Sequence, residues 1–255
     1  MGKIVVSNLS RTYRDPAGEV HALGPLSFGV ETGEFLCVLG PTGCGKTTLL
    51  RTIAGLEAPD SGRVDLPPGR KGREPVTGYV FQQGALFPWM TAWSNVEFPL
   101  IAGGMERSRR RLKVERMLDM VGLSSFADSY PHQLSGGMQQ RAALARSLVM
   151  EPDILLMDEP FSSLDTRTSQ QLQNSLRELW KQESTTVVFV THNIEEAVYL
   201  AEEVIVLGHR PGKLVRRETI DLPDPRSRLS KPFTDYLVSL RQTFESLVLE
   251  PSDPT

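Results

Sequence analysis

Three short segments of the chain bring together the groups that phosphate chemistry needs. Gly40-Pro41-Thr42-Gly43-Cys44-Gly45-Lys46-Thr47 fits the pattern G-x-x-x-x-G-K-[ST]. Glycines at these positions let the backbone curl until successive N–H groups point inward at phosphate oxygens. A helix opened by Thr48-Leu49-Leu50-Arg51 adds its positive N-terminus. In such a loop Lys46 reaches the β- and γ-phosphates and the Thr47 hydroxyl ligates Mg²⁺. With glycine at about 7% of residues, chance gives this pattern in on the order of one chain in a hundred of this length, so a nucleotide is the expected ligand.

Ile154-Leu155-Leu156-Met157-Asp158-Glu159 is the second segment. A buried strand that ends in two carboxylates places Asp158 where it can hold the magnesium shell and Glu159 where it can polarise a water. The third is Leu134-Ser135-Gly136-Gly137-Met138-Gln139-Gln140. A serine and two glycines at a helix start make a second anion-binding nest from a hydroxyl, free N–H groups and the helix dipole. One chain needs only one cradle for one triphosphate, so the spare nest makes sense if it closes over a nucleotide held by another subunit.

The elements that must carry these segments follow from hydrophobic patterning. Apolar runs bounded by Gly, Pro and polar residues predict strands at 34–40, 77–81, 153–158, 185–191 and 204–207. Helical periodicity occupies 46–55, 138–150, 166–183 and 194–201. Continuously apolar strands alternating with helices predict an α/β fold with a mostly parallel sheet covered on both faces. Residues 84–150 break the rhythm with helical patterns such as 106–121, which predicts a helical subdomain inserted into an α/β core formed by 1–83 and 151–222. Within 223–255, Phe233, Tyr236, Leu237, Leu240, Phe244 and Leu247 recur at helical spacing, predicting a C-terminal helical extension that packs on the core. Lys213 to Ile220 alternate like an edge strand.

Composition narrows the class. Of 255 residues, 40% are hydrophobic and 23% charged, as in an ordinary globular protein. The net charge of -3, from 28 basic against 31 acidic residues, gives no sign of a nucleic-acid partner. No run approaches the roughly 18–20 apolar residues that cross a bilayer. The first ten residues lack the charged segment and apolar core of a secretory signal. Cys37 and Cys44 make neither a disulfide framework nor a zinc site, so a reducing compartment is expected. Cys44, inside the glycine-rich loop, is a candidate for alkylation that bound nucleotide would block; the alternative is a buried and inert thiol. The basic run Arg107, Arg109, Arg110, Arg111, Lys113 and Arg116 is interspersed with Glu106, Glu115 and Asp119 and reads as a solvated helix face.

With these segments in one order, the chain resembles the ABC ATPases, whose fold is a P-loop NTPase core with an inserted helical subdomain. The resemblance implies ATP and Mg²⁺ as ligands and hydrolysis of ATP as the reaction. It implies two nucleotides sandwiched in a homodimer, between the phosphate loop of one protomer and the LSGGQ-type segment of the other. Met138 departs from the family's Gln and leaves the Ser-Gly-Gly nest intact. Further residues match in order. Tyr13 resembles the aromatic that stacks on adenine, Gln82 the Q-loop glutamine that touches Mg²⁺ and water, and His192 the switch histidine at the γ-phosphate. Ser163-Leu164-Asp165 resembles the D-loop that crosses to the other protomer.

Phe87-Pro88-Trp89-Met90-Thr91, Arg210-Pro211-Gly212-Lys213 and Asp221-Leu222-Pro223 look like the nitrate/sulfonate/taurine group of bacterial importer ATPases. That resemblance implies two transmembrane permease subunits, a periplasmic or lipoprotein solute-binding protein, and a peripheral place on the cytoplasmic face of the membrane. Phe87, Trp89 and Met90 are the expected permease-docking residues. The alternatives are the ATPase of an exporter or lipid transporter, and a non-transport ABC ATPase acting on DNA or ribosomes. The second is disfavoured because Asp158 follows Lys46 too closely for a long coiled-coil insertion.

Overall fold

The computed structural model describes residues 2–16 and 18–249. In chain order the elements are strands β1 (Lys3–Asp15), β2 (Gly18–Glu31) and β3 (Phe35–Leu39), helix α1 (Lys46–Ile53), β4 (Ser61–Asp65), β5 (Thr77–Val80), and helices α2 (Ala92–Ala102), α3 (Arg107–Met120) and α4 (Gly136–Leu148). There follow β6 (Ile154–Asp158), α5 (Thr166–Glu183), β7 (Thr186–Thr191), α6 (Ile194–Leu200), β8 (Glu203–Leu207), β9 (Leu214–Thr219) and α7 (Lys231–Leu249). The chain divides into two compact units. One runs to Pro68 and resumes at Thr186; the other is Gly69–Thr185.

In the first unit β3 pairs in parallel with β7 on one side and β8 on the other, and β9 closes that edge antiparallel to β8. Every residue of β3 and β7 is buried, which is why both strands read as unbroken apolar runs instead of alternating ones. Phe35 and Phe189 meet across this core with ring centroids 6.1 Å apart. A separate antiparallel sheet, ordered β2-β1-β4, completes the unit. It departs from expectation, since none of its strands was foreseen. β1 and β2 lose register between Val6 and Leu9, Leu9 and Arg11, and Arg11 and Thr12. These bulges scramble the two-residue alternation by which a half-buried strand is recognised.

Within the C-terminal segment, Lys231–Leu249 form α7. Phe233, Leu240 and Leu247 of α7 are buried. In the turn before α7 the buried Arg226 donates to the carbonyls of Val198 (2.8 Å), Tyr199 (3.1 Å) and Ala201 (2.6 Å). A guanidinium there satisfies the orphan acceptors at the end of α6 and complements its negative pole.

In the second unit β5 and β6 pair in parallel. Residues 84–150 carry α2, α3 and α4 with no strand among the described residues. The basic face of α3 is ion-paired: Arg110 with Glu97 and Arg111 with Glu115, both at 2.9 Å, and Lys113 with Glu151. No helix among the described residues is long and apolar enough to cross a membrane.

Candidate nucleotide site

In the first unit the phosphate loop bridges the end of β3 and the start of α1. Gly43 and Gly45 take φ values of +81° and +99°, open to glycine at little cost. A Cβ on Gly45 would also lie 2.4 Å from the Ala22 carbonyl oxygen of β2. That glycine is therefore demanded twice, by dihedral angle and by packing. Lys46 is buried, and its ammonium donates to the carbonyls of Gly40 (2.8 Å) and Pro41 (2.9 Å). Those bonds hold it folded across the mouth of its own loop. Thr47 and Thr48 follow in the first turn of α1, where backbone N–H groups have no helical partner.

Of the two expectations for Cys44, the structure takes the buried one. Its side chain is only 1% exposed. The sulfur turns beneath Gly40, where a Cβ on that glycine would meet it at 2.7 Å. The backbone of Cys44 belongs to the loop, but the thiol belongs to the core and is shielded from alkylation.

Tyr13 is carried by β1 and tied to this loop. Its hydroxyl donates to Glu57 Oε2 (2.5 Å) and shares a 3.1 Å hydrogen bond with Thr48 Oγ1. Burial, then the bond to Glu57, raises its pKa. The Arg11 guanidinium lies over the ring, 5.1 Å from its centroid, and is held by Asp60 at 2.9 Å. The Thr12 N–H, assisted by Arg11, keeps the Asp60 carboxyl below its usual range. The ring is thus presented as a braced, half-buried platform.

Leu39 and Thr191 are register partners, so Gly40 and His192 leave the same end of the parallel pair. The turn that carries His192 is fixed by Thr191 Oγ1, which donates to Glu196 Oε2 (2.7 Å) and accepts the Asn193 N–H (3.0 Å). The Asn193 side chain in turn caps α6 through the Glu195 N–H at 2.9 Å.

The second unit gathers the other candidates. Val80 and Met157 are register partners, which brings Gln82 and Asp158 to one sheet end. Asp158 is buried. Glu159 has φ +45°, uncommon for a residue with a side chain. Ser162 secures that turn by donating its N–H (3.2 Å) and hydroxyl (3.0 Å) to the Glu159 carbonyl. Backbone strain held in place by neighbours is a recurrent feature of functional carboxylates.

Ser135 caps α4 by accepting the Met138 N–H at 3.3 Å, and Gly136 and Gly137 form the first turn. An accepting hydroxyl retains its own proton as a donor. A Cβ on Gly137 would stand 3.0 Å from Leu164 Cδ2, so the glycine also lets the segment 163–164 approach α4. Asp165 caps α5 by accepting the Thr168 N–H at 3.0 Å, and the Thr168 side chain first, then that N–H, lowers its pKa. The buried Gln140 of α4 donates to the Phe81 carbonyl at 3.1 Å, which anchors the chain just before Gln82.

Sequence reasoning named Gln140 only as the end of the segment 134–140, without this anchoring role, and passed over Asn95. Asn95 is fully buried in α2 and binds the backbone of the 87–91 loop. A buried Asn in a mostly apolar helix is the signal that marks it.

Residues 23–162 match the family described as ABC transporter. The chain is 44% identical over 231 residues to the nitrate import ATP-binding protein of Synechocystis sp., covering 89% of this chain and 87% of that one. It is 44% identical over 216 residues to a taurine import ATP-binding protein of Pelagibacter ubique, covering 84% and 82%. Among solved structures, an ATP-binding cassette in a dimeric post-hydrolysis state with ADP and Pi superposes with a TM-score of 0.78 at 35% identity, over 86% of this chain and all of that one. The phosphate loop, the strand-end carboxylates and the Ser-Gly-Gly helix start thus occur in a chain alike from end to end to such cassettes: the chain belongs to the ABC transporter family, as an ATP-binding, ATP-hydrolysing subunit.

Proposed function

We propose that this subunit powers solute uptake through a partner permease, in the manner of the nitrate, sulfonate and taurine importers. The observation that carries this reading is the pairing of a complete phosphate loop with a displayed apolar loop just after Gln82. Trp89 is 70% exposed, and the neighbouring groove of about 430 Å³ is lined by Phe81, Phe87, Phe98 and Met150. Phe87 contacts both Trp89 (5.6 Å between centroids) and Phe98 (5.0 Å). An exposed aromatic beside an apolar groove suits a short helix of a membrane subunit, with tryptophan as its anchor.

In the proposed cycle, adenine stacks on Tyr13. The backbone of Gly40, Pro41, Thr42, Gly43, Cys44, Gly45, Lys46, Thr47 and Thr48 wraps the phosphates, with N–H donors from every residue but Pro41. Lys46 exchanges its carbonyl partners for phosphate oxygens. The oxygen donors Thr47, Gln82 and Asp158 fit Mg²⁺, a hard cation that takes its remaining ligands from phosphates and water. Magnesium would supply charge neutralisation between the β- and γ-phosphates. Glu159 orients and polarises the attacking water, and His192 holds the γ-phosphate for in-line displacement.

Ser135, Gly136 and Gly137 close over the ATP of a second copy, with Asp165 lying across the interface. ATP charge shared by two cradles draws that homodimer shut, and loss of the γ-phosphate releases it. The motion passes from Gln82 to two permease subunits, and through them to a periplasmic or lipoprotein solute-binding protein. The subunit would then work as a peripheral protein on the cytoplasmic face of the membrane.

Copurification with two permease subunits, together with ATP-dependent uptake of nitrate, taurine or another sulfonate by the reconstituted complex, is the expected result. Salt-sensitive DNA binding in place of permease association would contradict it.

A further inference from the structure

The loop Arg210-Pro211-Gly212-Lys213 has no part in the cycle above, yet it packs directly against the phosphate loop. Gly212 is bound on both sides to β2: its N–H donates to the Ala22 carbonyl at 3.0 Å, and its carbonyl accepts the Gly24 N–H at 3.2 Å. A Cβ on Gly212 would lie 2.2 Å from the Cys44 carbonyl oxygen. Only glycine lets this loop slide under the phosphate loop. On the far side of Pro211, Arg210 Nε donates to the Gly43 carbonyl at 3.2 Å, and its guanidinium lies along that residue.

The bond falls on the residue where the loop is softest. Gly43 has φ +81° and no side chain to resist rotation of the peptide that follows it. In a planar trans peptide the carbonyl and the next N–H point in opposite directions. Fixing the Gly43 oxygen therefore fixes the Cys44 N–H on the opposite side of that peptide, where it donates to the Pro41 carbonyl at 3.3 Å. A preset N–H need not be ordered again when a phosphate arrives.

We propose that Arg210 is a positioning residue of the nucleotide site: it locks the Gly43–Cys44 peptide in the phosphate-binding orientation and so raises affinity for ATP and ADP alike. The inference rests on nucleotide binding at this loop and on nothing about transport.

The test uses the full chain with MgATP and MgADP as titrants. Arg210→Met removes the donor while keeping the length of the side chain, and Arg210→Lys restores a donor. Arg210→Met should weaken both nucleotides about three- to tenfold, the range of one ordinary hydrogen bond at an exposed site. It should raise the half-saturating ATP concentration more than it lowers kcat. The melting temperature should stay within about a degree of wild type, because the arginine is exposed, and Arg210→Lys should recover most of the affinity. Unchanged affinity in Arg210→Met overturns the proposal, as does a loss that tracks a fall in melting temperature. A wild-type chain that binds no MgATP would instead bring down the functional reading itself.

Discussion

Asn95 holds Phe87 by both of its backbone groups: the Phe87 N–H donates to Asn95 Oδ1 at 2.8 Å, and Asn95 Nδ2 donates to the Phe87 carbonyl at 3.2 Å. The same amide nitrogen reaches the carbonyls of Met90 (3.1 Å) and Thr91 (3.0 Å). One buried side chain thus stands in for secondary structure and displays Trp89 on a fixed loop. Asn95→Ala should cost about 1–3 kcal/mol, since it leaves buried backbone groups unsatisfied. Thermal or denaturant unfolding measures this, and a neutral Asn95→Ala would show that water replaces the amide.

Trp89→Ala separates docking from packing. With the ring largely solvent-exposed, the isolated subunit should melt within about a degree of wild type and bind ATP normally. Complex formation with the permease, followed by pull-down, should be weak and uptake lost. A large fall in melting temperature would assign Trp89 to the core and withdraw its coupling role.

Tyr13 offers a ring and a hydroxyl that can be tested apart. Tyr13→Phe keeps the stacking platform and loses the bonds to Glu57 and Thr48. Nucleotide affinity should change little, whereas Tyr13→Ala should lose about 1–3 kcal/mol of binding, the worth of a base stacked on an aromatic. Equal losses in the two variants would mean that the hydroxyl, not the ring, matters.

Glu34 gives the chain a pH-sensitive spot remote from the phosphate loop. Burial first, then the neighbouring Glu203 carboxylate, pushes its pKa from the ordinary 4.5 up to about 7. A folded-state pKa raised above the unfolded value favours the protonated form. The stability it brings is therefore complete below pH 4.5 and lost as pH rises through about 7. Glu34→Gln should remove this slope, so melting temperatures of mutant and wild type should diverge across that window, with the mutant gaining as pH rises. A constant difference would show that the Glu34–Glu203 pair is not titrating there. The lowered carboxyls of Asp60 and Asp165 act in the opposite sense, at lower pH.

Much of the parallel core was legible because β3, β6, β7 and β8 are almost wholly buried runs whose apolar character has no interruption. The phosphate loop was legible because Gly43 and Gly45 sit at positive φ and Gly40 has no room for a Cβ beside the Cys44 sulfur. The antiparallel sheet was not, since bulges break the alternation of β1 and β2, and β4 is mostly exposed. Helix α2 was missed for another reason: it carries Pro99 inside and lacks a polar face. The burial of Cys44 and the clasp of Arg210 on Gly43 depend on which way a loop turns its side chains, and spacing along the chain does not encode that. Ser135 and Asp165, proposed for the nucleotide and the dimer interface, are also N-caps of α4 and α5. Substituting either would disturb a helix start as well as a contact.

The central claim is that Glu159 activates water for ATP hydrolysis in a nucleotide-sandwiched dimer, and Glu159→Gln tests it most directly. The amide keeps the size of the side chain and the left-handed turn secured by Ser162 but cannot polarise water as a carboxylate does. Steady-state ATPase activity should fall by about 10²-fold or more, the usual worth of a general base. ATP affinity should persist, and an ATP-bound dimer should accumulate on size-exclusion chromatography. Near-normal turnover by Glu159→Gln, with no dimer in ATP, would contradict the account.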